Sequence, residues 1–405
     1  MFAENKSYLL LRFFFIAALF LFISSPANSS ALEINGELSS QGFLFIHEGA
    51  WEDQEKQSVS LAAKVEMYHG FTDNLQFTME AFYRIDSLDS ERTHGDLRTA
   101  ELIYFTDNWE ISAGLGRVFW GATEFVHLVD IINQTDQVEA LDGEEKLGQP
   151  MVHLTIPQSW GVVEGFIMPW FRERTFPGVK GRFRSPFAID SNLTVYEDDE
   201  QHHTDLALRY STTVADADLG IYYFNGTARD PVLLLSFDNT HLPVLYPYYE
   251  QIGQSGIDIQ MVAGEWLFKA EALYRTGQSR SYAATTFGFE CSLVGIGNTM
   301  MNLGLIGEYV FDDRDQGWLP TIYDNDIMAG LRLNVNDMDD STVLIGIIRD
   351  THYGSTILGI ESSRRIGDSL RINLNASFFI DLDKEDPAFI LAQDDFITIA
   401  LIWYW

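Results

Sequence analysis

One cysteine, Cys291, is the entire thiol content of this 405-residue chain. A lone thiol excludes an intramolecular disulfide. With Phe289 and Leu293 on the same strand face, Cys291 reads as a small apolar packing residue rather than a reactive one. Basic residues are also scarce, 26 Lys and Arg against 59 Asp and Glu, for a formal net charge of −33. A chain this acidic repels a phosphate backbone, which excludes nucleic acid as a partner. Such acidity fits a solvated, self-repelling surface, cation enrichment at a pore mouth, or divalent ions bridging loop carboxylates to anionic lipid. Long apolar runs are missing as well. The run from Phe13 to Ile23 has 11 residues, short of the roughly 20 that a helix needs to cross a bilayer. No later segment is longer, so insertion as helices is excluded, while insertion as alternating strands is not. Glycine spacing for a phosphate-binding loop is absent too.

What is present begins with a leader. Lys6 and Arg12 precede the apolar run, and Ser24, Ser25, Pro26 and a small-residue stretch ending Ser29-Ser30-Ala31 follow it. This is the order of a secretory signal peptide, residues 1–31, with cleavage expected after Ala31 and a mature chain from Leu32 to Trp405.

Period-two alternation then dominates. Leu370, Ile372, Leu374, Ala376, Phe378 and Ile380 share one face, opposed by Arg371, Asn373, Asn375 and Ser377. The same split recurs around Leu75–Arg84, Trp266–Arg275, Met301–Phe311 and Asp326–Val335. One face suits lipid and the other water. A β-sandwich would alternate too, but here short turns alternate with long polar loops. That asymmetry is expected of a barrel with one end in the periplasm and the other outside. Short turns are read at 70–74, 107–108, 157–160, 214–217, 263–264, 295–298, 336–340 and 367–368, from residues that tolerate turn geometry. Eight hairpins plus a first and a last strand predict an all-β, antiparallel transmembrane barrel of about 18 strands. The range is 16–18, because Pro231, Pro243 and Pro247 break the signal between 226 and 263. Residues 32–405 form a single domain.

The expected chemistry is that of a channel in the bacterial outer membrane, passing small hydrophilic solutes through a charged constriction without covalent catalysis. The third outward loop, residues 119–150, is expected to fold into the lumen, and it carries Glu124, Asp130, Asp136 and Glu139 toward the constriction. The next loop brings Arg172, Arg174, Lys180, Arg182 and Arg184, so that opposite charges could face each other across the mouth. Glu80, Arg84, Lys269, Glu271, Arg275, Glu308, Arg332 and Arg371 are expected to line the lumen wall. The acidic stretch from Glu197 to His203 reads as a solvated loop crest before it reads as a metal site, so neither metal nor cofactor is expected. Histidines and serines are scattered without a local nucleophile–base motif, so no enzyme is expected. The alternatives are a barrel plugged by its own loops that acts in polysaccharide export or surface binding, and, ranked below that, an outer-membrane hydrolase.

Ile397, Ile399, Leu401, Trp403 and Trp405 alternate to the last residue. This ending resembles the C-terminal signature read by the bacterial barrel-assembly machinery, which marks Trp403 and Trp405 as an assembly signal. Arg117-Val118-Phe119-Trp120-Gly121 followed by Asp130-Ile131-Ile132-Asn133-Gln134-Thr135-Asp136 resembles a pattern in a broad group of proteobacterial outer-membrane barrels that includes alginate-export-like porins. There a GRQxxxWG strand end runs into a DxxNPxD loop; Val118 and Gln134 replace its Gln and Pro. The resemblance spans 117–136 and implies a loop that re-enters the lumen after Trp120. Surrounding lipid and lipopolysaccharide, the assembly machinery and the solute are the expected partners. A homo-oligomer stays open, since nothing in the sequence marks a trimer face.

Overall fold

The computed structural model describes residues 32–405 except 141, 199, 239 and 240. The leader reading, residues 1–31, lies outside the described residues. The strands are β1 (Glu33–Phe45), β2 (Gln57–Thr72), β3 (Leu75–Asp86), β4 (Gly95–Phe105), β5 (Glu110–Gly116), β6 (Gln149–Gln158) and β7 (Gly161–Met168). Then come β8 (Val195–Tyr196), β9 (Asp205–Val214), β10 (Ala217–Thr227), β11 (Val232–Phe237), β12 (Pro243–Tyr249), β13 (Gln251–Ala263) and β14 (Trp266–Thr276). The last are β15 (Tyr282–Leu293), β16 (Asn302–Asp312), β17 (Asn325–Asn334), β18 (Thr342–Asp350), β19 (Thr356–Ile366), β20 (Leu370–Ile380) and β21 (Phe396–Tyr404).

Eighteen of these form one antiparallel sheet that closes on itself, with β1 pairing to β2 on one side and to β21 on the other. Closure leaves no open sheet edge to hydrocarbon, and the ladder runs on around the barrel apart from register shifts at Gly70/Thr72 and Glu80/Ala81. In the closing register Leu38 faces Trp403 and Gln41 faces Ala400. The main chain of Trp405 adds a reciprocal pair with Gly36, at 3.2 and 3.1 Å.

All eight short turns fall between paired strands at one end of the barrel. Tight reversals demand positive φ, and the chain supplies it at Ala215 (54°), Gly264 (65°), Asn336 (54°) and Gly367 (65°). Ala215 is the costly one, about 1 kcal/mol relative to glycine. The proline-broken region resolves into an outward hairpin. β11 and β12 leave the wall between β10 and β13, and β12 pairs in parallel with the two residues of β8. This segment forms a small separate sheet, and the wall count stays at 18.

Side chains alternate across the wall. Tyr83, Ile221, Leu331, Ile399 and Leu401 point outward and are about half exposed, while Glu271, Glu308 and Asp326 point inward and are almost wholly covered. Trp109, Trp160, Trp266 and Trp403 ring the turn end of the outer face, the interfacial position that aromatics favour. The tightest apolar core lies inside the barrel. There Trp120, Val129, Ile131 and Ile132 of the third outward loop pack on Met151, Phe166, Met168, Tyr222, Phe224 and Ile252 of the wall.

Candidate functional site

The third outward loop, residues 117–148, leaves β5 and turns into the barrel. Its base is tied by Asn133, whose side-chain amide donates to Gly116 O (2.8 Å) and Leu147 O (2.9 Å) and whose oxygen accepts Val118 N (2.8 Å). Backbone amides carried away from water must find acceptors, and two wall carboxylates supply them. Glu271 accepts from Ala122 N (2.6 Å), Thr123 N (3.0 Å), Thr123 Oγ1 (2.7 Å) and Val129 N (3.2 Å). Glu308 accepts from Glu124 N (2.6 Å) and Phe125 N (3.0 Å). The Glu124 carboxylate continues the chain to Arg332 and, at 3.5 Å, to Lys269. The Phe125 ring lies over Gly330 and Gly346, where a Cβ would meet it at 3.3 and 3.0 Å. Wall glycines thus make room for the loop tip.

The return limb is also anchored. Asp130 pairs with Lys146 at 3.1 Å. Asp136 accepts from Thr175 Oγ1 at 2.8 Å and faces His94 (3.3 Å) and Arg98 (3.4 Å). Burial opposes the Asp136 charge, but His94, Thr175 and Arg98 outweigh it and hold its carboxyl below the usual range. Glu139 pairs with Arg84 at 2.8 Å.

The basic segment is bound up in pairs. Arg172 donates to Gly148 O (2.8 Å) and Asp96 (2.7 Å), and Arg174 to Asp230 (2.5 Å). Burial works against the Asp230 charge, yet Arg174, Arg275 and Arg314 hold its carboxyl well below the usual range. Arg182 grips Asp394 (2.8 Å) and Gln393 O (2.6 Å), and Arg184 turns back on Ser185 O (2.9 Å). Of the wall residues, Glu80 meets Arg117 at 2.6 Å, Arg275 meets Gln254 at 2.6 Å, and Arg371 meets Asp340 at the turn-side rim, 2.9 Å away. The Glu197–His203 stretch is used locally: Glu197 accepts Gln251 N, and His203 faces Asp205.

What the loops leave free is a cavity of about 500 Å³. The third loop bounds one side with Glu124, Glu139, Asp142 and Glu144, and the fourth loop adds Lys180 and Arg182. The opposite wall is β18–β21 with β1 and β2, presenting Gln41, Ser58, Glu361, Asn375, Ser377 and Thr398. The sequence-expected residues therefore divide. Glu124, Glu139, Lys180 and Arg182 reach the cavity, whereas Asp130, Asp136, Arg172, Arg174 and Arg184 sit in the anchors behind it. Glu361 was missed. Its inward neighbours on β19, Ile357 and Gly359, are not polar, so alternation there did not separate the two faces.

No protein-family model matches the chain, and no curated protein matches it in sequence. Solved structures do match. A BenF-like porin from Pseudomonas fluorescens is 11% identical with a TM-score of 0.53, covering 92% of this chain and 98% of that one. Wzi of Escherichia coli, described as a carbohydrate-binding β-barrel involved in group 1 capsule assembly, is 10% identical with a TM-score of 0.50, covering 90% and 83%. The fold is that of an outer-membrane porin barrel. The apolar outer band, interfacial aromatics and closed wall place this porin-type barrel in the bacterial outer membrane.

Proposed function

We propose that this barrel is a channel through which small hydrophilic solutes diffuse, narrowed by the third loop, with no covalent chemistry. The observation that carries this reading is the water-accessible cavity between the loop's carboxylates and the wall of β18–β21 with β1 and β2, which presents both polar and apolar side chains. Glu124 and Lys180 form the charged constriction, backed by Glu139 and Arg182, whose side chains are nearly inaccessible in their pairs with Arg84 and Asp394. Asp130, Asp136, Arg172, Arg174 and Arg184 hold the loops that form it. An affinity to alginate-export-like porins is part of the same reading and rests on the Arg117–Asp136 pattern. Lipid with lipopolysaccharide surrounds the band, and the assembly machinery reads Trp403 and Trp405.

A second reading has its own support. The apolar core from Trp120 to Ile132 fills the β6–β13 side of the lumen, as a barrel plugged by its own loops and acting in polysaccharide export or surface binding would require. Single-channel recording of the refolded barrel in a planar bilayer separates the two. Stable open steps support the channel, and a folded but silent barrel supports the plug.

A further inference from the structure

Charges around the cavity do not cancel. Arg92 is matched by Asp86 (2.8 Å), Glu139 by Arg84 (2.8 Å), Arg182 by Asp394 (2.8 Å), and Glu124 by Arg332 and Lys269. Asp89 accepts the amides of Glu91 and Gly178. Among the lining carboxylates of the described residues with no Lys or Arg in salt-bridge range, Asp89 is held by those two amides, which leaves Asp142, Glu144 and Glu361; Asp142 accepts the Glu144 amide at 3.0 Å, and Glu144 meets His127 at 3.5 Å. Lys180 is the unmatched cation among those lining residues.

The three carboxylates come from two sides. Asp142 and Glu144 project from the third loop, and Glu361 stands on the wall. The β19 register puts Glu361 opposite Leu344 and Asn375, both cavity-lining, and its electrostatic neighbours are Asp142, Glu144 and Glu124, with Arg332 as the one cation among them. Burial, with the charges of Glu144 and Glu145, pushes the Asp142 carboxyl up, as expected where negative charge lacks a counter-ion. Apolar groups share this region: the Phe125 ring with Leu344, Ile348 and Ile357.

We propose that this cavity is a binding station for organic cations, in which Asp142, Glu144 and Glu361 hold an ammonium or amidinium group while Phe125 and the Leu344–Ile348–Ile357 strip take its carbon body. The inference rests on the channel reading and names its solute class. A bare metal ion does not fit. The carboxylates that converge within 4.8 Å among the described residues are Asp324, Asp326 and Asp350, a different group. Carboxylates on opposite sides of a cavity suit a larger, diffuse cation, and the aromatic face adds cation–π attraction. The volume of about 500 Å³ lies in the range of small-molecule sites. An anion of the same shape would meet Asp142, Glu144 and Glu361 against a single unmatched cation, Lys180.

The test uses the folded, detergent-solubilised barrel titrated calorimetrically with benzyltrimethylammonium and, separately, with benzenesulfonate, alongside reversal potentials of both salts in a bilayer. The cation should bind saturably and permeate in preference to the sulfonate. A Glu361→Gln, Asp142→Asn variant that retains its heat-dependent gel shift should bind it about tenfold more weakly. Equal binding of the two probes, or an unchanged affinity in the variant, overturns the proposal. A silent barrel that binds the cation keeps the site and removes the channel reading. A conducting barrel that does not bind it does the reverse.

Discussion

Glu271 of β14 receives both the hydroxyl of Thr123, at 2.7 Å, and its backbone amide, at 3.0 Å. A charge on the lumen wall is thereby converted from channel lining into a clamp on the loop that narrows the channel. Bonds to a charged acceptor contribute about 1.5–3 kcal/mol each, so this carboxylate holds the loop more firmly than packing alone would. Glu271→Ala orphans the amides of Ala122, Thr123 and Val129, while the Thr123 hydroxyl keeps the Val126 carbonyl as acceptor. The expected outcome is a barrel that still folds but shows larger, flickering conductance steps in bilayer recordings. Unchanged steps would place the loop's rigidity elsewhere.

Gly36 is required by the chain's end. Any Cβ there collides with the ring of Trp405, and the main chains of the two residues are hydrogen-bonded. Gly36→Val should therefore oppose closure by about 1–3 kcal/mol, the usual cost of overpacking. Deleting Trp405 should reduce assembly as well. The heat-modifiable fraction on a gel reads both; a normal fraction in either variant would dissociate this contact from barrel closure.

The His94–Asp136 contact should make the third loop pH-sensitive. Burial disfavours the charged imidazole, but the hydrogen bond and charge of Asp136, with Glu139, raise its pKa above 6.5. A raised value contributes stability that is complete below 6.5 and lost as pH rises through the folded value. The Asp136 carboxyl is depressed, so its contribution is present above 3.8 and lost as pH falls through its folded value. Loop protection against added protease should thus be greatest between those limits and weaken as pH rises through the raised His94 value. His94→Gln should flatten the alkaline limb, and an undiminished limb in that variant would assign it to another group.

Arg182 and Asp394 form a pair in which both side chains are nearly inaccessible, 4% and 3% exposed. Arg182 also caps the carbonyls of His47, Glu55 and Gln393. Removing one partner of such a pair costs about 3–5 kcal/mol because the other charge is left buried. Arg182→Met should release the fourth loop, seen as rapid proteolytic nicking between residues 169 and 204 while the barrel wall stays intact. Resistance equal to the parent chain would show the loop to be held by its other contacts.

Strand number, turn placement and the outward face were legible in the sequence because each depends on local pattern. A strand exposed to lipid on one side must alternate, and a two- to five-residue reversal needs residues that accept positive φ, as at Gly264 and Asn336. The alternating ending at Trp403 and Trp405 belonged to the same local code. The site was legible only as a set of charges. Asp130 and Glu124 look alike along the chain, yet one is closed off by Lys146 behind the loop and the other reaches Arg332 at its tip. Glu361 looked unremarkable beside Ile357 and Gly359, yet it stands in the cavity. Which charges cancel is decided by pairing across more than a hundred residues of sequence, as between Thr123 and Glu271 or Arg182 and Asp394. Only closure of the barrel brings such partners together, because the wall and the loops that fill it meet nowhere but in three dimensions.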